Sequence, residues 1–183
     1  MEGGRRPGET ASCSASSHGA ERFAHCNHLA DHDERRGRHV ARSRLHGYED
    51  ALREAGIEPG EDLAVEADWT PGTAAAATRL LLQRDPEMSA LFVHSDTMAI
   101  GVLSALAAAR RRVPADVAVV SCDDMPFAEY LTPPLTSLRV PFAQTGERAM
   151  ELLLSSIGGQ EPPTEPVLLP VELIVRDSCG TPR

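Results

Sequence analysis

From Ser43 onward, short apolar runs alternate with helix-spaced apolar stripes, and polar residues or glycines separate them. Leu45, Tyr48, Leu52 and Ala55 recur at helical spacing, and Gly56 stands where a helix stops. Asp62–Asp68 reads as a strand, and Thr70–Gln83 as a helix with Thr70 at the N-cap and Pro71 in the first turn. Leu91, Phe92 and Val93 form a run that ends in His94-Ser95-Asp96, and a helix is expected from Thr97 to Ala109. Val117–Val120 is a second run, ending in Ser121-Cys122-Asp123-Asp124. Pro133-Pro134 marks a turn and Leu135–Val140 is extended. Phe142–Ile157 is helical up to Gly158-Gly159, residues 161–166 form a loop, and Val167–Asp177 holds the last strands.

Strands of the buried type joined by helices predict an α/β fold with a parallel sheet. The polar turns after Val93 and Val120 then lie at the carboxyl ends of neighbouring strands, where open α/β sheets bind ligands. The pattern is that of a small-molecule receptor.

Charge sharpens this reading. Residues 1–44 carry eight arginines against six acids, whereas residues 45–183 carry ten against 21. A surface that neutralises phosphates needs a basic patch, and the patterned part of this chain is acidic. The Arg110-Arg111-Arg112 run is expected to complement the end of its helix, not to contact nucleic acid. No apolar run approaches the roughly 18 residues of a membrane helix. The first residues have no apolar core of a secretory signal, so a cytoplasmic location with no membrane partner is expected. The four cysteines are scattered and suggest no disulfide framework.

Residues 1–41 show no helical or strand periodicity and read as an irregular segment, with the ordered domain at 42–178 and a tail at 179–183. Within that segment His25-Cys26, His28 and His32 have the only metal-like spacing, with Cys13 or His18 as a further donor. Zinc needs a tetrahedral set held by ordered elements, and no such elements are expected there, so neither metal nor cofactor is assigned. The chain shows no glycine-rich phosphate loop and no nucleophile elbow, so no enzyme is expected.

Several blocks together carry a family resemblance: ARSRLHGYEDALREAGI, EADWTPGTAAAATRLL, SDTMAIG, RVPADVAVVSCDDMPFAEYLTPPLTSLRVP, GERAMELLL and LLPVELIVRDS. In this order they resemble the effector-binding domain of LacI/GalR-type transcriptional regulators, from about Arg42 to Ser178. The resemblance implies a periplasmic-binding-protein-like (type I) fold of two lobes around a sugar-like effector. Residues 42–138 and 167–175 would supply the carboxyl lobe, and Phe142–Ile157 a helix of the amino lobe. Most of that second lobe is then missing, as are the helix-turn-helix and hinge, so operator DNA would be reached only through a missing amino-terminal domain. A homodimer is implied for the intact family. A solute-binding component of a sugar transporter shares the fold and is the alternative.

Four residues are candidates for the ligand site. Arg44 occupies the arginine of the family's R-x-x-G-[YFW] motif, here Arg44-Leu45-His46-Gly47-Tyr48, and its planar donor fork suits paired ligand oxygens. Trp69, the only tryptophan, follows a strand and offers a flat face for a sugar ring. Ser95 stands where most relatives have asparagine, a departure that replaces an amide by a single hydroxyl. Asp96 is expected to cap the following helix. Asp123 supplies an acceptor-only carboxylate to ligand hydroxyls, and Asp124 should point the other way because successive residues of an extended chain alternate.

Overall fold

The structure, a computed structural model, describes residues 23–27, 37–60 and 63–180. Six strands form one sheet: β1 (Phe23–Asn27), β2 (Ala64–Glu66), β3 (Ala90–Val93), β4 (Ala118–Asp123), β5 (Thr136–Arg139) and β6 (Glu172–Ile174). Their spatial order is β2-β1-β3-β4-β5-β6. All pairings are parallel except the last, where β6 runs antiparallel to β5 with Arg139 opposite Glu172. The helices are α1 (Gly37–Glu54), α2 (Pro71–Arg84), α3 (Asp96–Ala108) and α4 (Phe142–Ile157).

Strand periodicity explains the layers. Leu91, Val93 and Val119 face one side of the sheet and join the cluster of Ala74, Ala77 and Leu81 from α2 with Met98, Val102 and Leu106 from α3. The alternate positions Ala90 and Ala118 face the other side and pack with Leu52 of α1, beside Tyr48 and Ile57. Tyr48 and Phe92 stack with ring centroids 6.5 Å apart. The sheet is therefore covered by helix on both faces, which is why its central strands read as unbroken apolar runs.

The helix ends follow local chemistry. Thr70 caps α2 by accepting from Thr73 N–H, with Pro71 as the first helical residue. Beyond α1, Gly56 adopts φ +76° while the Ile57 N–H returns to the Leu52 carbonyl, a left-handed stop that suits glycine. Helices α2 and α3 cross so closely that a Cβ on Gly101 would lie 1.8 Å from the Pro71 carbonyl oxygen. Arg111 leaves α3 to donate to the Pro86 and Met88 carbonyls, and Arg112 pairs with Asp116. The arginine run thus ties down neighbouring loops as well as following a helix.

Three features differ from the sequence reading. The helix over Leu45 begins earlier, at Gly37, and Phe23–Asn27 is a strand between β2 and β3. An alternation of only five residues flanked by His and Arg gives too little periodicity to stand out. The rest of residues 1–41, including His28, His32, Cys13 and His18, lies outside the described residues. At the other end, Ser178 and Cys179 are buried: the Ser178 hydroxyl donates to the Val119 carbonyl at 2.7 Å and accepts from Thr136 N–H at 2.8 Å. Cys179 therefore belongs to the packed domain. Helix α4 has an apolar stripe but no buried residue; Ile157 is 74% exposed, and Phe142, Met150, Leu153 and Leu154 are exposed with it. No described helix is long and apolar enough to cross a membrane.

Candidate functional site

At the carboxyl edge of the sheet, β3 and β4 end side by side, and each turns into polar residues there. Parallel strands present the same end to the same side, so Ser95 and Asp123 meet by topology and not by sequence proximity. From the face covered by α1, Arg44 reaches over this edge, and its Nη1 donates to the His94 carbonyl at 2.6 Å. Arg44 is half-buried in the middle of α1 and fixed at the end of β3, where its charge acts on Asp123.

Ser95 is extended (φ −155°, ψ 143°), and its hydroxyl accepts from Thr97 N–H, which makes it the N-cap of α3. Asp96 is therefore the first helical residue and not the cap, a correction to the sequence expectation. The reason is that the chain already turns helical after Ser95, leaving the Asp96 side chain to swing inward. The Ser95 hydroxyl and the Asp96 N–H also favour the charged form of the Asp123 carboxylate. Ser95 is buried, and its hydroxyl oxygen already accepts from its own helix.

Asp123 sits in a tight turn. Its φ is +120° and that of Asp124 is +55°, both in the region that side chains other than glycine rarely adopt. Each such residue costs on the order of 1–3 kcal/mol and persists only where the surroundings enforce it. The two carboxylates do diverge, through this turn and not through strand alternation. Asp124 turns away and is held by Arg176 at 2.7 Å and Arg139 at 2.8 Å. Arg139 also reaches Glu172 at 3.2 Å, so one turn is tied to both β5 and β6. Asp123 lies within the field of Arg44, with Ser95 and Asp96 beside it.

The electrostatics follow from burial. Desolvation pushes the Asp123 carboxyl up to about 6, opposed by the Arg44 charge and reinforced by Asp96. Asp96 is likewise raised, chiefly by burial, against the hydrogen bonds that favour its charge. Burial pushes the adjacent Cys122 thiol up to about 11, so it is not a nucleophile at neutral pH. Among the described residues no His, Cys, Asp and Glu gather in a set that could hold a metal ion.

Arg44, Ser95 and Asp123 are thus brought together, whereas Trp69 is set apart. It follows β2, 44% exposed, on the same edge of the sheet. With β1 between β2 and β3, that strand lies roughly 10 Å from β3 at ordinary strand spacing. Asp96, Asp124, Ser137 and Arg176 were missed by sequence reasoning as parts of the site's frame. The arrangement offers one fixed cation, one carboxylate in a half-dry setting and a flat indole further along the rim. It can orient a hydroxyl-rich neutral molecule.

Comparison with known proteins identifies the family of this fold. Residues 15–179 match the family described as periplasmic binding protein-like domain. The HTH-type transcriptional regulator CelR of Thermobifida fusca is 44% identical over 137 residues, which is 74% of this chain and 40% of that protein. The HTH-type transcriptional regulator AscG of Escherichia coli is 36% identical over 76% of this chain and 41% of its own length. Among solved structures, a transcriptional regulator CelR–cellobiose complex superposes with a TM-score of 0.83 at 38% identity, covering 93% of this chain and 50% of the other. The chain spans about 40% of the length of the curated relatives it matches.

Proposed function

Because this chain belongs to the periplasmic binding protein-like family, as the effector-binding portion seen in LacI-type regulators, we propose that it senses a sugar-like molecule for a transcriptional regulator. The convergence of Arg44, Ser95 and Asp123 at the carboxyl edge of β3 and β4 carries this reading. Arg44 donates to ligand oxygens and Asp123 accepts from ligand hydroxyls, while Trp69 borders the cleft with an apolar face suited to a pyranose. The ligand is bound and released unchanged. A relative is known as a complex with cellobiose, which makes disaccharides the first class to test.

In this reading the described sheet is one of two lobes, and α4 lends its apolar stripe to the other. A sugar drawing the lobes together biases the regulator between operator-bound and operator-free states, a coupling between two distinct sites. The Asp123–Asp124 turn is suited to pass this on. One of its carboxylates faces the ligand, and the next grips Arg139 and Arg176 on the segments that lead out of and back into the sheet. A homodimer and a cytoplasmic location complete the proposal.

The test is calorimetry with mono- and disaccharides on the 183-residue chain joined to the amino lobe of the Thermobifida fusca relative. Arg44→Ala and Asp123→Ala should each weaken the best ligand by about 2–3 kcal/mol, the range for hydrogen bonds to charged groups. Binding by both variants as tight as the parent's refutes the assignment of these residues.

A further inference from the structure

We propose that Asp96 is a positioning residue for the ligand site: it never faces the ligand but holds the turn that aims Asp123. This rests on reading the β3–β4 edge as the ligand cleft. The Asp96 side chain is fully buried at the start of α3, one residue past the N-cap. Its two oxygens are divided between two tasks. Oδ2 accepts from the Met125 N–H at 2.7 Å, across 29 residues of chain. Oδ1 accepts from the Ser137 hydroxyl at 2.7 Å, and the Ser137 oxygen in turn accepts from the Asp124 N–H at 3.0 Å. The backbone N–H groups on both sides of the Asp124 carbonyl therefore answer, directly or through one hydroxyl, to a single carboxylate.

That matters because Asp123 and Asp124 both adopt positive φ without glycine. Such a backbone relaxes unless its neighbours over-determine it. From the outer side the Asp124 carboxylate is pinned by Arg176 and Arg139. From the inner side, among the described residues, Asp96 and Ser137 hold the amides of the turn by hydrogen bonds. If the inner hold is lost, φ at Asp123 can relax toward ordinary extended values, and its carboxylate swings away from Arg44 and Ser95. The N-terminus of a helix favours a carboxylate at this position. The Ser95-Asp96 pair thus divides its labour: the serine caps its own helix, and the aspartate fastens the turn of the next strand.

Asp96→Asn preserves the volume of the side chain but can accept only through one oxygen, and Ser137→Ala removes the relay alone. Hydrogen exchange on the full chain, without ligand, reads the hold directly. In Asp96→Asn the Met125 amide should exchange about tenfold faster, as for loss of one hydrogen bond to a charged group, while Val119 and Val120 in β4 stay protected. In Ser137→Ala the Asp124 amide should accelerate and Met125 should not. Unchanged Met125 exchange in Asp96→Asn overturns the proposal.

The second readout is cellobiose affinity in the two-lobed fusion. Asp96→Asn should weaken binding by about tenfold in the parent and less than about twofold in an Asp123→Ala background, since it acts through Asp123. Equal losses in both backgrounds mean that Asp96 only supports the fold, and the proposal fails. If the parent binds none of the sugars tried, the carbohydrate reading falls, and the exchange experiment still decides whether Asp96 holds the turn.

Discussion

Ligand affinity should depend on pH in a range where an ordinary aspartate would leave it flat. Desolvation raises the Asp123 carboxyl to about 6, and its charged form is the stronger acceptor for a ligand hydroxyl. If the ionised form is required, the apparent Kd grows by one plus the ratio of proton concentration to acid constant. With a pKa near 6, affinity falls about tenfold between pH 7 and pH 5, and roughly another tenfold by pH 4. An aspartate at its ordinary value near 3.9 would change affinity by only about 10% over the first of those intervals. The assay is calorimetry with cellobiose at pH 7, 6 and 5 on the parent and on Asp123→Asn. Asp96 is also raised by burial, and His46 is exposed on α1, so the Asn variant serves to remove the Asp123 contribution alone. A flat parent profile, or a slope that survives in Asp123→Asn, refutes the reasoning. The same shift acts in the opposite sense on folding. The folded state binds the extra proton between about pH 4 and 6, so the Asp123 contribution to stability rises as pH falls through that window.

Asp124→Ala should destabilise the fold by about 3–5 kcal/mol in urea titration, because it strands the largely buried Arg176, whereas Arg139→Ala on the half-exposed partner should cost under about 1 kcal/mol. Gly101→Ala should lower the melting temperature despite a helix-propensity gain of about 1 kcal/mol, since its Cβ meets the Pro71 backbone and α2 must move; a higher melting temperature would show that the two helices are not in fixed contact. The exposed stripe on α4 should make the 183-residue chain self-associate on size-exclusion chromatography, and Leu153→Glu with Ile157→Lys should relieve it. Unchanged elution would place the association elsewhere.

The parts of the fold that sequence reveals are those decided locally. Thr70 and Pro71 announce a helix start, Gly56 a helix stop, and Leu91–Val93 and Val117–Val120 the buried strands, because each signal acts within a few residues. The two strand ends and the Arg44 motif stood out in the sequence, and the structure brings them to one edge of the sheet. What stayed hidden was decided by topology. Arg176 meets Asp124 across 52 residues and Asp96 meets Met125 across 29, and no local pattern reports such pairings. Asp96 carries the composition of a cap in either role; only the extended backbone of Ser95 reveals which residue holds that position. The Ser95 hydroxyl oxygen accepts from the Thr97 N–H, because a short side chain at an N-cap reaches its own helix first.

The antiparallel pair at the edge of the sheet has a topological consequence. Strand β5 carries the chain out after Arg139 and β6 brings it back at Glu172, and these two residues face each other across the ladder. Directly opposed residues lie about 4.5–5.5 Å apart, close enough for a tight turn to join them. Everything from residue 140 to 171, α4 included, hangs from that one pair of strands like an inserted cassette. It could be cut out and replaced by a hairpin turn without changing the order of a single strand. Conversely, this is a place where a foreign segment could be spliced in and remain in register with the sheet.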